Sequence, residues 1–153
     1  MPDVFISYSS HESQLATFVH NELTRHGIGA FAASASLKPG DHWSPGILQN
    51  LNSSNCVIVL ASRAASTSAF VNQEIGMALA ASKSLVPIVW DMDPALLPGW
   101  LGRLQAIDLR GKTLEALQSE IAALASRIRQ SKDQTVLVIG AVVLGLLFLG
   151  SKK

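Results

Sequence analysis

A glutamate and two serine-rich segments are the residues of this chain best placed to do chemistry. Glu74 lies in a helical pattern whose core face carries Val71, Ile75 and Ala78. That spacing puts the Glu74 carboxylate beside the core face, where it can lean toward a groove between loops. A placed carboxylate can serve catalysis, whereas a helical glutamate is more often a solvated surface residue. Periodicity alone leaves both roles open.

Short β-rich runs alternate with helical patterns along the chain. Strands are predicted at residues 4–8, 28–31, 55–60, 85–90 and 104–109. Apolar residues at helical spacing lie between and after them, at residues 13–26, 47–51, 70–81 and 113–129. This alternation predicts an α/β fold, a flavodoxin-like three-layer αβα arrangement with a five-stranded parallel sheet of order β2-β1-β3-β4-β5.

The predicted topology directs attention to the crevice at the carboxyl ends of β1 and β3, where ligands bind in such sheets. Residues 9–11 and 62–68 follow those strands and are rich in serine. A magnesium-dependent phosphoreceiver would need carboxylates at these strand ends, and residues 7–9 and 61–62 supply none. A flavin-binding electron carrier fits the topology, but no convincing acidic or aromatic pair flanks the crevice.

Composition excludes several other classes of function. The chain carries 12 Lys+Arg against 11 Asp+Glu, so it lacks the basic surplus of a nucleic-acid-binding protein. A single cysteine, Cys56, excludes an internal disulfide, and its place in an apolar run predicts a buried core residue. The four histidines show no ligand spacing, so no metal site is predicted.

The C-terminal region is much more apolar than the rest of the chain. Residues 136–150 contain no polar side chain, and a helix that is apolar all round must be surrounded by protein or lipid. Residues 135–151 reach about the lower length limit for a membrane span. We therefore predict a single-pass transmembrane helix at 135–151 after a linker at 131–134, with a buried oligomer-forming helix as the alternative. Basic residues ahead of it favour a cytoplasmic location for a domain at 1–130.

Three sequence boxes, at residues 4–10, 37–43 and 70–79, resemble those of Toll/interleukin-1 receptor (TIR) domains and occur in the same order. Residues 4–10 resemble the first box, Val-Phe-Ile-Ser-Tyr-Ser-Ser, and residues 37–43 resemble the BB loop, Leu-Lys-Pro-Gly-Asp-His-Trp. Residues 70–79 are similar to the αC segment of enzymatic, bacterial-type TIR domains, in which a glutamate follows an aromatic-valine pair. The resemblance covers about residues 2–130.

The resemblance implies that the chain cleaves NAD⁺, which would be its substrate rather than a cofactor. In NAD⁺-cleaving TIR domains the αC glutamate is catalytic, and Glu74 is its positional match. Nicotinamide leaves uncharged from an oxocarbenium-like ribose, so one anion suffices and no general acid is needed. The products would be nicotinamide with ADP-ribose or a cyclic ADP-ribose. Activity would depend on self-association with other TIR domains in immune and cell-death signalling, including antiviral defence.

Further site residues follow from the same resemblance. The expected substrate-binding residues are Ser9, Ser10, Trp43, Ser68 and Phe70. Backbone N–H groups of the two crevice loops, which open helices, could receive the diphosphate. Trp43 could stack on a base or nicotinamide ring, or it could anchor its loop to the domain. A BB-loop interaction surface is expected at Pro39, Gly40 and Asp41.

Three departures from the family pattern favour a second interpretation. Phe70 stands where many enzymatic relatives carry tryptophan, residues 32–36 lack the acid that often begins the BB loop, and His11-Glu12 opens the first helix where aspartate is common. The alternative is a noncatalytic adaptor that recruits other TIR domains to a membrane. The fold is common to both functions and cannot decide between them.

Overall fold

The computed structural model describes residues 2–33 and 45–150, with side chains at 2–32, 45–99 and 101–132. The strands in this part of the chain are β1 Val4–Ser7, β2 Ala30–Ala33, β3 Cys56–Leu60, β4 Ser84–Val89 and β5 Ile107–Asp108. The α-helices are α1 Ser13–Arg25, α2 Pro45–Ser53, α3 Arg63–Ser66, α4 Ala69–Ala80 and α5 Leu114–Gly150. Short 3-10 helices lie at Ser10–Glu12, Pro94–Leu96 and Gly99–Arg103.

The five strands form one parallel sheet of order β2-β1-β3-β4-β5, which confirms the predicted topology. Alternate residues of β1 face opposite sides of the sheet. Val4 and Ile6 pack in the core layer beneath α1 and α5. Phe5 packs in the opposite layer beneath α2, α3 and α4, and by the same alternation Ser7 faces that layer. The result is the expected three-layer αβα arrangement.

The last predicted strand is much shorter than the sequence indicates. Residues 104–109 are expected to be a strand, but β5 comprises Ile107 and Asp108 only. A 3-10 helix occupies Gly99–Arg103, and Leu104 forms its C-terminal cap. The short β5 also explains Pro87, which interrupts β4 in sequence. β5 pairs with Ile88 and Val89 alone, so Pro87 precedes the β4–β5 register.

Two contacts hold α5 against the edge of the sheet where the strands begin. The Lys132 ammonium lies 2.9 Å from the Asp3 carboxylate, one residue before β1. The Arg129 guanidinium donates to the His26 carbonyl at the end of α1. α5 therefore reaches the amino-terminal edge of the sheet, opposite the crevice at the carboxyl ends.

The helix α5 continues through residues 131–134, where the sequence predicts a linker. Where side chains are described, no helix combines the length and the apolar character needed to cross a bilayer. The predicted transmembrane helix at 135–151 lies outside the described side chains, and the BB loop at 37–43 lies outside the described residues altogether.

Candidate functional site

Glu74 is enclosed between α4 and the sheet. Its side chain is 0% exposed, because the face of α4 that carries Phe70, Val71 and Ala78 packs against the sheet and Glu74 lies on that face. Ser68 begins the helix by accepting a hydrogen bond from the Val71 N–H, at 3.3 Å. This cap fixes the start of α4 and therefore the position of Glu74 along the sheet.

Ser7 is the polar side chain that faces Glu74. It is the last residue of β1, is fully buried, and points into the same layer. Burial raises the pKa of Glu74 to about 8, and the Ser7 hydroxyl opposes that rise. Yet neither carboxylate oxygen of Glu74 nor the Ser7 hydroxyl has a hydrogen-bond partner within the described residues. The Ser7 hydroxyl therefore lowers the pKa of Glu74 by lying close to the carboxylate, and the two groups do not form a hydrogen bond.

A second buried carboxylate, Glu12, joins the two loops of the crevice. It lies at the end of the 3-10 helix after β1 and is 8% exposed. The Ser9 hydroxyl donates to one of its oxygens. The Ser62 hydroxyl, after β3, donates to the other at 2.5 Å. Ser62 also accepts from the Ala65 N–H at 2.9 Å and so caps α3. Both oxygens of this carboxylate are therefore satisfied, in contrast to those of Glu74.

A third carboxylate extends this linkage to the loop after β4. Asp91 accepts from the Arg63 N–H at 3.3 Å, at the first turn of α3. A cavity of about 10 Å³ lies between α4 and the loop after β4 and is lined by Val71, Ile75 and Met92 among other residues. That volume is about one water molecule. Carboxylates thus tie together the loops after β1, β3 and β4.

The structure gives different positions to the expected substrate-binding residues. Ser9 is buried with its hydroxyl directed to Glu12, whereas Ser10 is exposed on the 3-10 helix. Ser68 is the cap of α4, and Phe70 is a core residue, 9% exposed. The predicted roles of these residues toward a substrate stay predictions. Trp43, Pro39, Gly40 and Asp41 lie outside the described residues.

The sequence pattern does not predict Ser7, Glu12 or Ser62 individually as members of the site. Glu12 stands out in the sequence only as a departure from the family pattern, and its partner Ser62 is 50 residues away. A usable signal was present, however. An acid just after one central strand and a serine just after the neighbouring parallel strand meet at the same sheet edge.

The sequence also predicts that the single cysteine is buried and that no metal site is present. Cys56 is 7% exposed, which confirms it as a core residue, and burial raises the pKa of its thiol to about 11. No group of three His, Cys, Asp or Glu side chains within the described ranges could hold a metal ion.

The arrangement offers an acid whose protonation depends on what approaches it. An isolated buried carboxylate is neutral near pH 7 when its pKa is about 8, and a nearby positive charge or hydrogen-bond donor favours its ionised form. Glu74 can therefore become an anion upon contact with a cationic or hydroxyl-rich ligand. Glu12, already bonded twice, is placed to hold loops together.

Comparison with solved structures places this fold among TIR domains. The TIR domain of the Toll-related receptor TRR-2 from Hydra magnipapillata matches with a TM-score of 0.68 and 22% identity, covering 84% of this chain and 99% of that one. The TIR domains of the activated Roq1 resistosome, which directly recognises the pathogen effector XopQ, match with a TM-score of 0.65 and 18% identity. They cover 79% and 97% of the two chains. At these identities the likeness shows the fold.

A metazoan TIR-STING receptor from C. gigas also matches, with a TM-score of 0.62 and 22% identity. The match covers 82% of this chain but only 40% of the receptor, so the receptor contains a great deal that this chain does not match. No curated protein matches the chain. The family model described as TIR domain matches residues 4–125, which is most of the sequence. The chain therefore belongs to the TIR domain family.

Proposed function

We propose that this TIR domain cleaves NAD⁺ to nicotinamide and ADP-ribose or a cyclic ADP-ribose, with Glu74 as the catalytic residue. The observation that carries the proposal is the Glu74 carboxylate, fully buried and without a hydrogen-bond partner among the described residues. A buried polar group left unpaired destabilises a fold, by roughly 1–3 kcal/mol or more. Groups kept in that condition are concentrated at functional sites.

The chemistry suits a carboxylate of raised pKa. The nicotinamide ring of NAD⁺ carries a positive charge, and a nearby positive charge favours the ionised form of Glu74. The bond between ribose C1′ and the nicotinamide nitrogen then breaks, and both electrons go to the nitrogen. Positive charge develops on the ribose, where the Glu74 anion stabilises it. Water adds at C1′ and loses a proton, giving ADP-ribose, or a nucleophile within the same molecule closes a cycle.

Access to Glu74 links catalysis to assembly in this proposal. Because its side chain is 0% exposed, a substrate reaches the carboxylate only after the groups that cover it move. We attribute that movement to self-association with other TIR domains, to which the BB-loop residues Pro39, Gly40 and Asp41 would contribute. The expected setting is immune or cell-death signalling, including antiviral defence in a bacterial-type system.

Membrane attachment is part of the same proposal and rests on the sequence. Residues 136–150 lack polar side chains, and a helix that is apolar on every side is stable only within protein or lipid. A span at 135–151 would hold the TIR domain at the cytoplasmic face of a membrane, with lipid as a partner. Confinement to two dimensions would raise the local concentration of TIR domains and favour their self-association.

The alternative is a noncatalytic adaptor that assembles TIR domains in signal transduction. The full enclosure of Glu74 favours this function, since a carboxylate without solvent contact can also be an ordinary, if costly, core residue. The departures at Phe70 and at residues 32–36 point the same way.

Measurement of NAD⁺ cleavage separates the two functions. The full chain is reconstituted at high density in phospholipid vesicles and incubated with NAD⁺, and products are identified by mass spectrometry. The proposal predicts nicotinamide release by the native chain and loss of release in Glu74→Ala. A matched control is Glu115→Ala, which removes an exposed glutamate of α5. Equal release by Glu74→Ala and the native chain would favour the adaptor.

A further inference from the structure

A groove of about 580 Å³ runs along α5 at the amino-terminal edge of the sheet, opposite the crevice. Its apolar floor is formed by Cys56 and Val86 of the sheet and by Leu124 and Ile128 of α5. Known ligand sites have volumes of about 300–1,000 Å³ with mostly apolar linings and a few polar groups. The groove falls within that range.

The rim of the groove is polar and carries more positive than negative charge. Arg127 and Lys132 of α5 line it together with Asp3. Lys132 is paired with Asp3, whereas the exposed Arg127 side chain has no ion pair or hydrogen bond with another described residue. The Arg127 guanidinium is therefore available to bind an anion above an apolar floor. An amphiphilic anion, which joins a charged group to an apolar chain, fits this arrangement.

Other basic residues surround this edge of the sheet. Lys83 precedes β4 and donates to the Asn52 carbonyl, and Arg129 donates to the His26 carbonyl. In both hydrogen bonds the acceptor is a backbone carbonyl and not a carboxylate. Both side chains therefore add positive charge at this edge of the sheet. Asp3 is the acid lining the described groove, and Asp133 follows Lys132 in the sequence.

The position of the groove along α5 indicates which anion it meets. The apolar run begins at residue 136, four residues after Lys132, or roughly 6 Å along a helix. If that run enters a bilayer, the groove lies at the level of the lipid headgroups, where anionic lipids attract basic clusters. The crevice with Glu74 then faces away from the membrane.

We propose that the groove between α5 and the amino-terminal ends of β3 and β4 binds an anionic phospholipid, with Arg127 on the phosphate. The proposal rests on the membrane attachment put forward above. The apolar floor at Val86 and Leu124 contacts the upper part of an acyl chain, and the Lys132–Asp3 pair borders the headgroup. Lipid binding here orients the TIR domain on the membrane with its crevice open to the cytoplasm.

Binding of a short-chain lipid tests the groove without requiring a bilayer. The full chain in a non-ionic detergent is titrated with dioctanoyl phosphatidylserine, and bound lipid is counted by native mass spectrometry. We expect saturable binding that weakens by about fivefold in Arg127→Gln, since one basic residue contributes roughly that factor near anionic lipid, and further in Arg127→Glu. Ser84→Trp, which fills the groove from an exposed rim position, should also weaken binding.

Two controls decide the outcome. Arg63→Gln removes an exposed arginine at the opposite edge of the sheet and should leave binding unchanged. Inorganic phosphate should compete only weakly, because it lacks the acyl chain. Equal lipid binding by native, Arg127→Glu and Ser84→Trp chains would overturn the proposal, as would phosphate binding as tight as that of the lipid. Flotation of the full chain with neutral vesicles tests membrane attachment separately, and nicotinamide release tests the catalytic proposal.

Discussion

The Ser7 hydroxyl and the Glu74 carboxylate face each other inside the protein, both 0% exposed and neither forming a hydrogen bond with another described residue. Ser7 ends the first strand and Glu74 lies in the second turn of α4. Apolar side chains of the same core layer, such as Phe5 and Val71, stabilise the fold. This pair destabilises it, and its chemistry determines how stability and activity should vary with pH.

Stability should fall as the pH rises from about 4.5 to about 8. The pKa of Glu74 is raised from 4.5 to about 8, so in this window the folded state binds a proton that the unfolded chain has lost. The free energy of unfolding should decline by up to several kcal/mol, at about 1.4 kcal/mol per pH unit, and level off above pH 8. Urea unfolding at pH 5, 7 and 9 measures this decline in the free energy of unfolding.

The variant Glu74→Gln tests whether Glu74 causes this dependence of stability on pH. It keeps the shape of the side chain and removes its ionisation, so the variant should be more stable than the native chain at pH 9 and similar to it at pH 5. Glu115→Gln, at an exposed position, should follow the native pH dependence. A native-like decline with pH in Glu74→Gln would show that another group causes it.

The variant Ser7→Ala should raise the pKa of Glu74. The Ser7 hydroxyl holds the pKa of Glu74 below the value that burial alone would give, and its loss leaves the effect of burial unopposed. The pH midpoint of nicotinamide release should therefore shift above that of the native chain, with activity reduced at neutral pH. An unchanged midpoint would mean that the two side chains do not interact.

The linkage through Glu12 should be measurable as a coupling energy. Glu12→Ala leaves the buried hydroxyls of Ser9 and Ser62 without their acceptor, at roughly 1–3 kcal/mol for each such group. Ser62→Ala removes one donor and the cap of α3, which together cost a similar amount. Because both changes break the same hydrogen bond, the double variant should lose less than the sum. Additive losses in urea unfolding would contradict the linkage.

Removal of the apolar segment should release the domain from membranes. A chain that ends at Lys132 retains the contacts of α5 with Asp3 and His26 but lacks residues 136–150. After cell fractionation we expect the full chain in the membrane pellet and the shortened chain in the supernatant. A shortened chain that still sediments with membranes would place the attachment elsewhere.

Much of the fold could be predicted because local patterns and topology agree. Strand-helix alternation predicts the parallel sheet and its order, and Gly27 ends α1 at φ +77 as a glycine after a helix should. The apolar run that includes Cys56 becomes the fully buried strand β3. The length of β5 could not be predicted, because the 3-10 helix before it depends on packing of Leu101 rather than on strand propensity.

The candidate site was predicted in part. Spacing on α4 places Glu74 beside the core face, but only the packed structure shows that it is fully enclosed and that Ser7 faces it. The bond between Glu12 and Ser62 joins residues 50 positions apart, and helical periodicity carries no information over such a separation. A helix-opening acid also has a local interpretation as a favourable charge at a helix start, which hides the long-range role of Glu12.

The dependence of NAD⁺ cleavage on pH tests the role of Glu74 most directly. Nicotinamide release by vesicle-bound chains is followed from pH 6 to 9 for the native protein, Glu74→Gln and Glu115→Gln, and kcat/KM is compared. We predict that kcat/KM of the native chain and of Glu115→Gln rises with pH through a midpoint above the ordinary range of a glutamate, because burial raises the pKa of Glu74 and the free enzyme must ionise it. Glu74→Gln should show no release at any pH. Release by Glu74→Gln at the native rate would contradict the account.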